Sequence, residues 1–198
     1  NLDWTVGSNV FINTSDSSVF RGNGNSYDDN NAAHTTQEYK NGCFLQFKAN
    51  AVNKEIQIGL ESNPTNGQNT IDYRFQLNTD GYYDVVYDGY TNGSNTGSYT
   101  TSSVFQIIYD GIDVKFIVDG SIEHTASNQG ADKVLATAIN FKTFQGKIVD
   151  ISFFPLAGAR KGEQGGPGGP GPPGGPGPPG NKGTKGDLGT KGIQGDPS

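Results

Sequence analysis

The sequence predicts an all-β head of antiparallel strands joined to one strand of a three-chain polyproline-II rope. Three observations predict it. Glycine occupies every third position from Gly162 to Gly195, every aromatic residue lies within the first 161 positions, and eleven short apolar runs there are punctuated by Asx-Gly pairs. The 198 residues thus divide into a head at 1–158, a linker at 159–161 and a stalk at 162–198.

The stalk carries the strictest signal. Gly162, Gly165, Gly168, Gly171, Gly174, Gly177, Gly180, Gly183, Gly186, Gly189, Gly192 and Gly195 open twelve successive triplets without a miss. Three polyproline-II chains wound together bring every third residue onto a shared axis, where only hydrogen fits. These glycines are therefore the expected trimer axis of a collagen triple helix. A flexible Gly/Pro linker has no need for that phase. Proline at Pro167, Pro170, Pro173, Pro176 and Pro179 pre-sets φ and reduces the entropy lost on ordering. Beyond it, Lys185-Gly186-Asp187 places opposite charges where neighbouring chains can pair. An adhesive role for Lys-Gly-Asp is the lesser reading. A lone strand of this kind has no internal hydrogen bonds, so a homotrimer is expected. The pattern still runs at Ser198, which predicts a longer stalk.

The head carries strand-like runs at Val10–Asn13, Ser18–Arg21, Gly42–Ala49, Glu55–Glu61, Ile71–Asn78, Tyr82–Tyr87, Val104–Tyr109, Val114–Val118, Ser121–Thr125, Lys133–Phe141 and Lys147–Leu156. Asp80-Gly81, Asp88-Gly89, Asn92-Gly93, Asp110-Gly111 and Asp119-Gly120 stand between them, and such pairs tolerate the positive φ of tight hairpins. About eleven strands at this spacing make an antiparallel sandwich or barrel. The single cysteine, Cys43, sits in Gly42-Cys43-Phe44-Leu45 and is expected in the core, with an interchain bridge as the alternative.

The stretch Val104 to Thr125 reads as three strands joined by two Asp-Gly turns. With Ile56-Gln57-Ile58-Gly59-Leu60 and the final strand Gly146 to Pro155, it resembles the concanavalin A-like/laminin G-like superfamily. The resemblance covers most of residues 1–156 and implies a jelly-roll sandwich. A jelly-roll head joined to collagen triplets is similar to viral or phage receptor-binding fibres and collagen-like surface adhesins. That likeness implies a virion-surface or extracellular location and a head that binds a glycan or protein receptor.

Charge narrows the partners. Asn1 to Ala159 holds nine basic and 17 acidic residues, so neither nucleic acid nor an anionic membrane is expected as a partner. No run approaches the length of a membrane-spanning helix, and no membrane insertion is expected.

Glycan binding uses aromatic platforms beside amides and carboxylates. Tyr83, Tyr90, Asn92, Asn95 and Tyr99, in and before the polar segment 88–100, have that composition and are the candidate ligand residues; tyrosines packed on the sheet are the alternative. Asp28 and Asp29 offer hard oxygens for calcium, although their spacing matches no recognised calcium loop. No other cofactor is expected. Asn13-Thr-Ser and Asn92-Gly-Ser match the glycosylation acceptor pattern.

No catalytic residues are assigned. His34, in a polar segment, and His124, on an expected strand, neighbour no nucleophile motif. Gln57 interrupts any alternate-residue run of acids between Glu55 and Glu61. A non-enzymatic trimeric fibre is therefore expected, with two further readings: a structural coat or matrix protein whose head nucleates and registers the triple helix, and a depolymerising fibre enzyme, against which the missing paired acids count. Either the head trimerises through apolar contacts near Phe153-Phe154-Pro155-Leu156, or a missing C-terminal domain does that.

Overall fold

In a computed structural model, the chain divides into two units, Asn1–Glu163 and Gln164–Ser198. Residues 2–22, 31–64, 71–92, 95–156, 177, 179–186 and 189 are described here. Asp28, Asp29, the linker 159–161, and Gly162, Gly165, Gly168, Gly171, Gly174, Gly192 and Gly195 lie outside them.

The first unit is all-β, two antiparallel sheets packed face to face. The chain order is β1 (Trp4–Val6), β2 (Val10–Asn13), β3 (Ser18–Arg21), β4 (Ala32–Lys40), β5 (Cys43–Ala49), β6 (Ile56–Glu61), β7 (Tyr73–Leu77), β8 (Tyr82–Tyr87), β9 (Tyr90–Thr91) and β10 (Gly97–Ser98). It continues with β11 (Phe105–Tyr109), β12 (Val114–Val118), β13 (Ser121–Ala126), β14 (Val134–Phe141) and β15 (Lys147–Pro155). The first sheet runs β1-β4-β14-β6-β7-β8-β10, with β9 also on β8; the second runs β13-β12-β11-β5-β15-β3-β2. Each of the eleven expected runs overlaps an observed strand.

Alternation explains the layers. Leu45, Phe47, Ile58, Phe75, Phe105, Ile107 and Phe116 recur at every second position and point between the sheets, all fully buried. Phe75 touches four rings, with centroids 5.0 Å from Phe105, 5.4 Å from Phe116, 5.7 Å from Tyr83 and 6.1 Å from Phe47. Cys43 is buried in this core as expected, and burial pushes its thiol up to about 12.

The meander from β11 to β13 forms as the Asp-Gly signals predicted. Asp119 and Gly120 both adopt positive φ (50° and 86°), the geometry of a two-residue hairpin turn. At Asp110, by contrast, the carboxylate accepts the N–H groups of Ile112 and Asp113, and the turn is wider.

Two segments depart from expectation. The polar segment around His34, outside the eleven expected runs, is not irregular: β4 lies between β1 and β14, with Ala33 and Thr35 turned inward. Small and hydroxylated side chains fill those inward sites, so no apolar alternation marked the strand. Segment 88–100 is not a free hairpin loop either. Its two short strands pair with β8, Tyr90 opposite Tyr87 and Gly97 opposite Tyr83, so it straps the sheet edge.

In the second unit, the described residues form neither helix nor strand and are exposed. A Cβ built on Gly177, Gly180, Gly183, Gly186 or Gly189 would meet nothing within 4 Å, and none of these glycines has positive φ.

Candidate functional site

The face of the first sheet turned away from the core carries a polar band. On β6 and β7 the apolar residues Ile58, Leu60, Phe75 and Leu77 point inward, so Gln57, Gly59, Arg74 and Gln76 point the other way. The register sets Asn140 of β14, Gln57 of β6, Gln76 of β7 and Asp84 of β8 side by side across four strands.

Hydrogen bonds link the band and carry it to the sheet edge. Gln57 Nε2 donates to Gln76 Oε1 at 3.3 Å, Gln76 Nε2 to Asn78 Oδ1 at 3.4 Å, and Asn78 Nδ2 to Asp84 Oδ2 at 2.9 Å. The other Asp84 oxygen accepts the backbone N–H of Asn95 at 2.5 Å. A sequence-predicted residue, Asn95, is thus tied to a sheet face that sequence reasoning did not single out.

The next row of this face is floored by small residues. Ala138 and Gly59 lie between His34 and Arg74. A Cβ at Gly59 would drive into the Tyr73 carbonyl and to 2.7 Å from Arg74 Cα, so only glycine keeps that floor. Three buried polar atoms on this face lack a hydrogen-bond partner: Gln57 Oε1, His34 Nδ1 and Arg74 Nε. Buried polar groups are ordinarily paired, so this concentration calls for an explanation. Burial also lowers the pKa of both the His34 imidazole and the Arg74 guanidinium. The band can thus offer acceptors and donors in alternation, the chemistry that polyhydroxylated molecules satisfy.

The sequence-predicted ligand residues separate. Tyr83 and Tyr99 are 3% and 6% exposed, both edge-on to Phe105 at 5.5 Å. Their rings belong to the core and present no face to a sugar, because both sit on inward-pointing positions. Tyr90 is 72% exposed. Asn92 is half-buried and donates its N–H to the Val85 carbonyl at 2.8 Å. Tyr90, Asn92 and Asn95 therefore remain together along the β8 edge. Gln57, Gln76, Asp84, Asn140, His34 and Arg74 were missed because only the strand register brings them into rows. The one available signal was Gln57, a lone amide between Ile56 and Ile58.

Glu61 is a buried acid whose pKa burial raises. Its two oxygens accept the N–H groups of Asn63 and Asp72 at 3.0 and 3.2 Å, clamping the ends of the segment between them. Among the described residues no group of three or more His, Cys, Asp or Glu is arranged to hold a metal ion.

A concavity of about 440 Å³ opens between the sheet edges near the end of β15, lined by Trp4, Tyr39 and Phe153 and by the polar Asn13, Ser18 and Gln37 among others. Only Lys147 and Ile148 of β15 pair with β3, which leaves the Ile151–Pro155 half of that strand unpaired on this side.

No family model matches the chain, and no curated protein matches it. Solved structures do. The TRIM65 PSpry domain superposes with a TM-score of 0.58 at 8% identity, covering 75% of this chain and 90% of that one. Stonustoxin gives 0.56 at 11% identity, covering 77% of this chain and 28% of the toxin chain. The SPRY domain of human HERC1 gives 0.51 at 14%, covering 72% and 91%. The head therefore has the fold of SPRY domains, a jelly-roll sandwich related to the concanavalin A and laminin G folds.

Proposed function

We propose that the chain is a trimeric surface fibre, located on a virion or cell exterior, in which a collagen stalk projects three jelly-roll heads toward a cell-surface glycan. The observation that carries the reading is the unbroken glycine phase. Within one chain nothing crowds the described stalk glycines and no positive φ requires them. The steric demand that fixes them is then one made by neighbouring chains at a shared axis. Solubility or flexibility alone asks for no such register.

The glycan part of the reading rests on the polar band. Its amides and the Asp84 carboxylate run from Gln57 to the sheet edge at Asn95, with unpaired polar atoms at Gln57, His34 and Arg74. Sugar hydroxyls both donate and accept, the chemistry that such amides and carboxylates match. Three such sites on one stalk gain avidity when a surface presents the sugar repeatedly. Neither a metal nor a catalytic pair enters this reading.

A glycan array probed with the intact chain tests it. Binding should be lost or reduced at least about tenfold by Gln57→Ala. An array on which the assembled chain binds nothing would favour the structural reading, a coat or matrix protein whose head registers the rope.

A further inference from the structure

We infer that the heads of neighbouring copies pack against one another beside the point where the chain leaves the sandwich, with the Phe44–Phe154 stack of one copy seated against the Trp4-lined cleft of the next. The inference rests on the trimeric reading above and adds where the heads meet.

The residues are placed by strand register. Phe44 and Phe154 are opposite one another on β5 and β15, their rings stacked at 4.7 Å. Ile108 lies opposite Phe44 on β11, so Ile108, Phe44 and Phe154 form one row on the outer face of the second sheet. Phe154 is 45% exposed and Pro155 beside it is exposed. Round the same strand end lies the cleft of about 440 Å³, which Trp4, Tyr39 and Phe153 line and Phe154 borders. An apolar ridge thus adjoins, at the head's last strand, a hollow in which the Trp4, Tyr39 and Phe153 rings are mixed with the polar Asn13, Ser18 and Gln37.

The occupant follows from covalent reach. Five residues, 157–161, separate Leu156 from Gly162, the first glycine of the triplet pattern. Six Cα–Cα steps span at most about 20 Å. In a closed rope, each copy therefore holds its Leu156 within that distance, and its Phe154 within about 28 Å, of an axis shared by two others, at an effective concentration in the millimolar range. A three-fold arrangement joins two different patches of each copy, one donated and one received, and closes after three. The ridge and the hollow are two such patches, and they flank the tether. Contact here would also hold the three chain starts in register, the step that opposes nucleation of a rope from free ends.

Trp4 is the only tryptophan, so its fluorescence reads the cleft directly. Phe44 does not line the cleft of its own copy, which makes Phe44→Ser a change that reaches Trp4 of another copy through the interface. The experiment follows iodide quenching of Trp4 in the intact chain, assembled and then dissociated by warming with the head still folded, alongside its mass by sedimentation. Quenching should be at least about twofold weaker in the assembled wild type. In assembled Phe44→Ser it should return to the dissociated value, and the dissociated forms of the two should agree. Ile108→Ser, on the same row, should act alike and covers the case in which Phe44→Ser fails to fold. A trimer whose Trp4 is quenched equally before and after dissociation, or unaffected by both substitutions, overturns the interface and leaves the rope standing. A chain that sediments as a monomer overturns the trimeric reading and the interface with it.

Discussion

The Asp84 carboxylate accepts the Asn95 backbone N–H at 2.5 Å and at the same time binds Asn78 Nδ2 at 2.9 Å. One buried side chain thereby fastens the 88–100 strap to β8 and joins it to the amide band. Asn95 holds positive φ (56°) at this bond, where a carboxylate acceptor offsets the cost of the left-handed backbone.

Asp84→Ala should consequently loosen the strap without unfolding the head. Leaving two donors unpaired costs about 1–3 kcal/mol. Amide exchange at residues 95–98 should rise while the β11–β12 amides remain protected. Asp84→Asn, which keeps one acceptor, should show a smaller rise.

Phe75 sits where four rings meet, and its truncation opens a cavity that β-sheet neighbours cannot fill by small shifts. Phe75→Ala should lower stability by about 3–5 kcal/mol in urea unfolding. Phe154→Ala, at a half-exposed site, should change the stability of the unassembled head by under about 1 kcal/mol.

Cys43 is fully buried and burial holds its thiol near 12, against 9.0 unperturbed. The folded chain should resist Ellman's reagent at pH 8 and release its single thiol equivalent promptly in denaturant. Because the folded-state value is the higher one, the contribution to stability is complete below pH 9 and declines as pH rises toward 12.

His34 and His124 titrate in the opposite sense. Burial lowers both from 6.5, outweighing the nearby Glu38 at His34, and His124 stacks on Tyr87 at 4.7 Å. The folded head binds fewer protons than the unfolded chain, so this contribution is present above pH 6.5 and lost as pH falls below it. Glu61, raised from 4.5 by burial, opposes that fall by favouring the folded head toward lower pH. The melting temperature should drop from pH 7.5 to pH 5.5, less in His124→Phe and more in Glu61→Gln.

How far the sequence reached depended on what each feature asks of it. The β11–β13 meander was legible because two Asp-Gly turns and an alternating Val-Phe-Val run agree with one another. The strand β4 was not, since Ala33 and Thr35 fill inward sites without an apolar signature, and its neighbours β1 and β14 are distant in sequence. Tyr83 and Tyr99 were grouped with Tyr90 by composition, and only the pleat separates two core rings from one exposed ring. The polar band depends on register between β14, β6, β7 and β8, a long-range property that local residue pattern does not encode.

Equilibrium sedimentation of the intact chain tests the central claim most directly. A collagen rope closed by three copies predicts a particle of three times the chain mass, reduced toward a single chain when Gly177 is replaced by Asp. A wild-type particle of one chain mass, unchanged by that substitution, would contradict it.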